Sequence, residues 1–520
     1  MTRSLLSVVL FIYLFLTVSL IPLQAQQTAD YFSFWTTGKW QSEITIYNGD
    51  TITEKDQFIV EKLDNKEAFA ESWKIYIGEG EFVDAKVMRG FDQSSKKWSL
   101  YYVDDVSSQN WDSELLDGIL YFSKAFKFKG KTFYSRQAWS LRPDGKVLRT
   151  IERSEDQIDW QARYWQLFSR VEEDLSSLID DYVEKNIEEH KLPSLAVAVV
   201  KEGNISHLKT YGYRDLESQA LSTVHTPYQI ASVSKTVTAM AIFHLVQEGK
   251  IKLDTDISAY LPFKVQNPHA PKRKITISDL LNHRSGIWDD YELYRPFWSV
   301  PNGDSEWKLA DFLKAYLIPA GTFYKEKNFA PAKEVADFKY SNTGYAILGL
   351  IVEHVSQMSF EKYCQAHIFR PNKMTNTSWF LKDLEESAVA KPYVYVDSTG
   401  YVFKGHNGYP DFPAGQLRTS ISDFAHLMKG YLNADSTDFF LNSNTIKEIT
   451  PNPTSAQTGF YTWYLAGAGK RIYYEHGGGD TGVSTTIFMD PGRKNAIIIF
   501  CNTNFSVNKL WREIAEMAFG

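Results

Sequence analysis

The stretch Gln229-Ile230-Ala231-Ser232-Val233-Ser234-Lys235-Thr236 runs straight into a helical pattern, read as an amphipathic helix from about Ser232 to Gln247. It sets a serine hydroxyl and a lysine amine three residues apart, and one helical turn brings both onto the same face. A serine hydroxyl is a poor nucleophile until a neighbouring base takes its proton, and an amine desolvated at a helix start has its pKa lowered enough to assist. Spacing alone does not single this pair out, because Ser94, Ser206, Ser305, Ser359 and Ser506 also have Lys three residues on. Ser232 as a helix N-cap and Lys235 as a solvated helix charge are the ordinary alternatives.

Two further stretches separate these readings. Tyr340-Ser341-Asn342 comes next along the chain, and His476-Gly477-Gly478-Gly479 comes later beside strand-like runs. With them, the sequence resembles the penicillin-recognising serine hydrolases: class C β-lactamases, DD-peptidases and related esterases and D-aminopeptidases. The three motifs of that family are Ser-x-x-Lys, Tyr-x-Asn and Lys-Thr-Gly or His-x-Gly, in this order. Leu280-Leu281-Asn282-His283-Arg284-Ser285-Gly286 and Pro413-Ala414-Gly415-Gln416-Leu417 also look familial, and are read as structural, with Thr276-x-x-Asp279 and Ser420-x-x-Asp423 as capping boxes. The resemblance covers roughly Leu175 to Gly520. Tyr-x-Asn recurs at Tyr431-Leu432-Asn433, so order and neighbours select Tyr340.

The resemblance implies a role for each residue. Ser232 resembles the acylated nucleophile, Lys235 the amine sharing its proton, and Tyr340 the general base and acid of acylation. Asn342 would hydrogen-bond the substrate's acyl amide, His476 would face the leaving group, and Gly478 would let substrate lie along the strand edge. The backbone N–H groups of Ser232 and Gly479 would form the oxyanion hole, and two preorganised donors there stabilise a tetrahedral oxyanion by several kcal/mol. His476 departs from the lysine of the β-lactamase pattern. An imidazole of ordinary pKa, ~6.5, is mostly neutral at pH 7, so recognition of a substrate carboxylate is expected to be weak there and to improve on acidification. Glu475, next to it on a strand, points to the opposite face.

Outward from these motifs, strand-like runs at Leu195–Val200, His207–Tyr213, Lys470–Tyr474, Ser484–Met489 and Asn495–Cys501 bracket a mostly helical middle, with helices at Val171–His190 and Asn508–Phe519 at the two ends. Strands from both ends of one domain, with helices between, imply an α+β fold: an antiparallel sheet with helices on both faces plus a helical region, β-lactamase/transpeptidase-like by the resemblance. Before it, residues 28–165 hold short alternating segments separated by turns such as Asn48-Gly49-Asp50 and Pro143-Asp144-Gly145, the pattern of an all-β barrel or sandwich. Gly38-Lys39-Trp40 resembles the Gly-x-Trp opening of lipocalin-type barrels. Arg3, the apolar run Leu5–Ile21, Pro22 and Leu23-Gln24-Ala25 read as a signal peptide over residues 1–25, with an uncleaved anchor as the alternative. The expected organisation is 1–25 leader, 28–165 β domain and 171–520 hydrolase domain, in a protein exported to the periplasm or exterior without stable membrane insertion.

Composition narrows the remaining classes. The chain has 520 residues, 43 % hydrophobic and 23 % charged, which excludes disorder and a membrane bundle. Its 56 Lys+Arg against 63 Asp+Glu give a net charge of −7 with no basic runs, so nucleic acid is not an expected partner. No Gly-x-Ser-x-Gly elbow is present, and none of the 11 His and 2 Cys forms a His-Glu-x-x-His or Cys-x-x-Cys motif, so neither an α/β-hydrolase nor a metal or cofactor is implied. Cys364 and Cys501 sit in apolar surroundings; a disulfide is open, plain core residues being commoner. The expectation is an exported serine hydrolase acting through an acyl-serine on an ester or amide, a D-amino-acid peptide or ester rather than a β-lactam, with cell-wall peptides among the candidate substrates. The alternative is a non-catalytic peptidoglycan or small-ligand binding protein on the same scaffold.

Overall fold

The computed structural model describes residues 31–35, 38–63, 67–171, 174–294, 303–435, 438–450, 464–468 and 471–519, so the expected leader lies outside the described residues. Contacts divide the chain into Met1–Glu173 and Asp174–Gly520.

The first unit is a barrel. Its strands are β1 (Gly38–Tyr47), β2 (Gln57–Lys62), β3 (Ala68–Gly78), β4 (Glu81–Asp92), β5 (Lys97–Asp104), β6 (Ser108–Leu116), β7 (Ile119–Phe128), β8 (Lys131–Leu141), β9 (Val147–Ser154) and β10 (Gln161–Arg170). Each pairs antiparallel with the next, and β10 returns to β1 through Trp40↔Arg170 to Tyr47↔Tyr164, which closes a ten-stranded barrel and excludes the sandwich. The period-2 pattern decides what enters it: on β4, Ala85, Val87 and Arg89 are buried between exposed neighbours. Tight hairpins join the strands where the chain takes positive φ at two successive residues, as at Asp117-Gly118 (49° and 78°) and Lys129-Gly130 (48° and 80°). Trp40 turns inward, 3 % exposed, and stacks 5.8 Å from Trp35.

Arg89 and Glu71 form a buried ion pair among these rings. Trp35 Nε1 donates to Glu71 Oε1 (3.0 Å), Trp73 Nε1 donates to Oε2 (2.8 Å), and the Arg89 guanidinium lies 4.7 Å from the Trp139 ring centroid. A buried carboxylate is tolerable only when its lone pairs are taken, and here two indoles and a guanidinium take them.

The second unit is built on one antiparallel sheet. Strands β11 (Ser194–Lys201), β12 (Asn204–Asp215), β13 (Tyr464–Ala468), β14 (Arg471–Asp480), β15 (Val483–Met489) and β16 (Ala496–Cys501) lie in the order β12-β11-β16-β15-β14-β13, with the short Ala220–Leu221 strand outside β12. β11 and β16 are buried along nearly their whole length, because both sheet faces are covered, and alternate residues serve different cores. Leu195, Val197, Val199, Ile497 and Ile499 meet α1 (Leu175–His190) on one face. Ala196, Ala198, Val200, Ile498 and Phe500 meet the helical region on the other, which contains α2 (Ser234–Gln247), α3 (Asn342–Ser356) and α4 (Ile421–Leu432), while α5 (Trp511–Phe519) joins α1 on the first face. This is a β-lactamase/transpeptidase-like fold.

Several sequence expectations are corrected. α2 is not amphipathic: it is preceded by a 3₁₀ turn, Ala231–Val233, and eleven of its residues from Ser234 to Leu245 are buried, because it runs through the middle of the helical region. α1 starts at Leu175 rather than Val171. β14 continues past Tyr474 through all three glycines, against local propensity, because β15 pairs with it through Gly477↔Thr486 and Gly479↔Ser484. Thr276 and Asp279 form the expected capping box, but Asp423 turns its carboxylate to Asn376 N and Thr377 Oγ1, leaving Ser420 a one-sided cap. Cys364 and Cys501 are free and buried in the two different cores, so they do not pair.

Replacing Glu71 by Ala leaves Arg89 charged and unpaired inside the barrel, a defect costing about 3–5 kcal/mol. Calorimetry of the variant is expected to show the transition of the barrel lowered and that of the second unit unmoved; a single transition shifting as one would mean the two units do not melt separately.

Candidate active site

The 3₁₀ turn before α2 carries Ser232, and three contacts fix it. Ile230 N donates to Leu417 O (2.9 Å), Thr485 Oγ1 on β15 donates to Ile230 O (2.8 Å), and Leu417 N donates to Ser234 Oγ (3.1 Å). Ala231 takes a left-handed φ of 45°, a conformation that is strained for an alanine and turns the chain sharply just before the serine. Ser232 is therefore not the helix N-cap; that position is Val233.

Lys235 is fully buried, so it is not a solvated helix charge. Its Nζ donates to Ser232 Oγ (3.2 Å), Asn342 Oδ1 (2.8 Å) and the Ala414 carbonyl (2.6 Å). The Tyr340 hydroxyl stands 2.8 Å from Ser232 Oγ, and Lys235 Nζ lies 4.7 Å from the Tyr340 ring centroid. The structure thus brings Ser232, Lys235, Tyr340 and Asn342 together. Asn342 faces Lys235 with its oxygen, which leaves the amide nitrogen as the donor it can offer a substrate.

Gly478 is the point where the sheet meets the serine. A Cβ on it would lie 2.4 Å from Ile230 O and 3.2 Å from Ser232 N, so only glycine lets β14 come this close. Alternation then puts His476 and Asp480 on the same face as Gly478, with Glu475, Gly477 and Gly479 on the other. Among the described residues, pairing of β14 to β13 runs from Ala468↔Arg471 to Tyr464↔Glu475.

His476 is buried, and burial, followed by the nearby Lys235 charge, pushes its imidazole down to about 3. This direction runs against the expectation that mild acidification charges the ring and improves carboxylate recognition.

The two segments expected to be purely structural border the site. His283, at φ 55°, holds the Tyr340 loop on three consecutive residues: its carbonyl accepts from Lys339 N (2.7 Å), its ring stacks on Tyr340 (4.4 Å), and its Nδ1 accepts from Ser341 N (3.1 Å). Burial, then Lys235 and His476, keep this ring neutral as well. The Pro413 segment supplies the Ala414 carbonyl to Lys235. Two acids were not singled out from the sequence. Asp289 accepts from Asn342 N (2.6 Å), Thr343 N (3.1 Å) and Ser341 Oγ (3.0 Å) at the start of α3, and burial raises its carboxyl. Asp411 is pushed up to about 7 by burial and by Asp289, against the pull of Lys235. Lys235 is pushed down to about 7 by burial, against Asp411 and Asp289. No sequence motif marks these acids, whose roles arise only from where the loops fold. Among the described residues, no group of His, Cys, Asp and Glu is arranged to hold a metal ion.

This architecture is that of the penicillin-recognising serine hydrolases. A profile of the Beta-lactamase family matches residues 179–518, and the chain belongs to that family. It is 28 % identical over 340 residues to Protein flp of Staphylococcus aureus strain MRSA252, covering 64 % of each chain, so the match spans less than two thirds of that relative's length. It is 25 % identical over 336 residues to Penicillin-binding protein 4* of Bacillus subtilis strain 168, covering 61 % of this chain and 69 % of that one. Among solved structures, D-amino acid amidase from Ochrobactrum anthropi SV3 superposes with a TM-score of 0.54 at 21 % identity, covering 66 % of this chain and 98 % of the other.

Two expected outcomes test this geometry. If neutral Lys235 takes the serine proton, kcat/KM rises with pH through about 7. Asp411→Asn removes a negative charge that favours the ammonium, so the midpoint should move to lower pH by roughly half a unit to one unit. An unmoved limb in the pH–rate profile would dissociate Lys235 from the rate. Gly478→Ala must push β14 away from Ser232, and a misplacement on the order of 1 Å is expected to lower the acylation rate about 100-fold; single-turnover kinetics read this directly.

Proposed function

We propose that this protein is an exported hydrolase that cleaves an ester or amide through an acyl-Ser232 intermediate. The observation that carries the reading is Ser232 Oγ standing 2.8 Å from the Tyr340 hydroxyl and 3.2 Å from Lys235 Nζ, with the amine buried and its pKa near neutrality. Ser232 Oγ attacks the carbonyl carbon, and its proton passes to the Lys235–Tyr340 pair. The carbonyl oxygen becomes an oxyanion received by the N–H groups of Ser232 and Gly479. The carbon–leaving-group bond then breaks, Tyr340 returns the proton to the leaving atom, and water later releases the acyl group as an acid. The pKa of Lys235 suits its step: an amine near 7 both accepts and releases a proton at neutral pH.

For substrate, a D-amino-acid peptide or ester is favoured over a β-lactam. A neutral His476 supplies no fixed positive charge for the carboxylate that a β-lactam carries, which favours an ester, whose leaving group needs no carboxylate, over a β-lactam. The relation to a penicillin-binding protein and the fold shared with a D-amino acid amidase point the same way. Export rests on the leader-like first 25 residues.

Intact-mass measurement with esters, D-Ala-D-Ala peptides and β-lactams is the test. An acyl adduct on the wild type is expected. Ser232→Ala should abolish it with thermal stability nearly unchanged, and Lys235→Ala and Tyr340→Phe should each lose most turnover without adding in combination. Wild-type turnover by Ser232→Ala would overturn the mechanism, and the absence of any adduct across the panel would favour a binding protein on this scaffold.

A further inference from the structure

The strand edge beside Ser232 has a direction. Tyr340 must reach the leaving atom to protonate it, so the leaving group lies on the Tyr340 side of the serine. His476 is on that side as well, since it lies near His283, whose ring is stacked on Tyr340. β14 passes from His476 through Gly478, beneath Ser232, to Asp480 on the same face, so Asp480 stands on the acyl side.

Asp480 is a half-buried carboxylate. Its Oδ1 accepts from Thr481 N (2.6 Å), its other polar neighbour is the Asn407 amide, and among the described residues it makes no ion pair. Burial pushes it up to about 7. Asn407 is fully buried; its Nδ2 donates to Thr481 O (3.0 Å), which fixes the orientation of the amide, and its Oδ1 has no partner among the described residues. A carboxylate and an unused amide oxygen are two acceptors seeking a donor, and a buried carboxylate is stabilised most by a donor that carries positive charge. An acyl-side carboxylate, by contrast, would be repelled.

The reach is suitable. Asp480 lies about 7 Å beyond Gly478 along the strand. An α-ammonium nitrogen lies about 2.5 Å from the acyl carbon, and a charge-assisted hydrogen bond adds about 2.8 Å. The remainder is within the length of an aspartate side chain.

Resting on the serine-hydrolase reading above, we propose that Asp480 and Asn407 form the acyl-side recognition site for a free ammonium group, so that the substrate is an aminoacyl ester or amide with its α-amine uncapped. Asp480 is a specificity-determining residue in this scheme, and it takes no part in proton transfer at Ser232.

The test compares D-alanine p-nitroanilide with propionic acid p-nitroanilide, which differ only in the ammonium group, using the full chain. The wild type is expected to prefer the D-alanyl substrate in kcat/KM by tenfold or more. Asp480→Asn should reduce that ratio at least tenfold, and Asn407→Leu should reduce it by a smaller factor. A purely structural defect lowers both rates and leaves the ratio intact, so an unchanged ratio in Asp480→Asn overturns the proposal, as does a wild type that prefers the propionyl compound. If neither anilide nor any neutral ester acylates Ser232 in the wild type, the serine-hydrolase reading fails and this proposal falls with it.

Discussion

The burial of Lys235 is the constraint around which the second unit is organised. An ammonium taken out of water loses its hydration and must regain hydrogen bonds from the protein, and each of its three donors finds an oxygen on a different segment: the 3₁₀ turn at Ser232, the start of α3 at Asn342, and the loop at Ala414. One amine therefore ties its own turn to two pieces of chain that lie 107 and 179 residues further along the sequence. The same arrangement poises the site, because a lysine with all its acceptors at hand but little solvent can lose its proton near neutral pH at small cost.

Charge around that amine is graded by position. The two acids that sense it, Asp289 and Asp411, oppose its desolvation, while the two imidazoles, His283 and His476, are buried and stay neutral beside it. Were either ring protonated, it would stand as a second positive charge next to Lys235 and depress the lysine further. Neutral rings can instead act as shaped, polar surfaces: His283 positions the Tyr340 loop by stacking and by its ring nitrogen, and His476 fills the strand face beside Gly478.

The candidate site was legible in the sequence where its residues lie close together in the chain. Ser232 and Lys235 lie three residues apart, Tyr340 and Asn342 flank one helix start, and His476 to Gly479 form one strand edge, so the order of these short motifs and their family resemblance pick them out. What escaped notice depends on distant chain meeting distant chain. His283 reads as a loop histidine until the Tyr340 loop lies across it, and Asp289 and Asp411 carry no local signature of burial. β14 could not be followed through three glycines because its persistence comes from β15. The barrel's closure likewise depends on β10 finding β1 across the whole length of the unit, which turn spacing cannot report; the inward alternation along each strand could be read, and the number of strands in the ring could not.

The glycines of β14 and the alternation of the sheet together explain why recognition and chemistry can be separate along one strand. A strand presents a group every second residue on one face, about 7 Å apart. With glycine in the middle position, the nucleophile's backbone seats against the strand, and the positions on either side are left to define what flanks the scissile bond: His476 toward the leaving group and Asp480 toward the acyl group. Because both are held by the same rigid pairing to β15, changing the side chain at either end alters which substrate fits without moving the serine between them. A fold built this way can keep one acylation machinery and vary its substrate by substitution at two positions of a single strand, which is the physical reason that the nucleophile proposed at Ser232 and the recognition proposed at Asp480 and Asn407 can be separate.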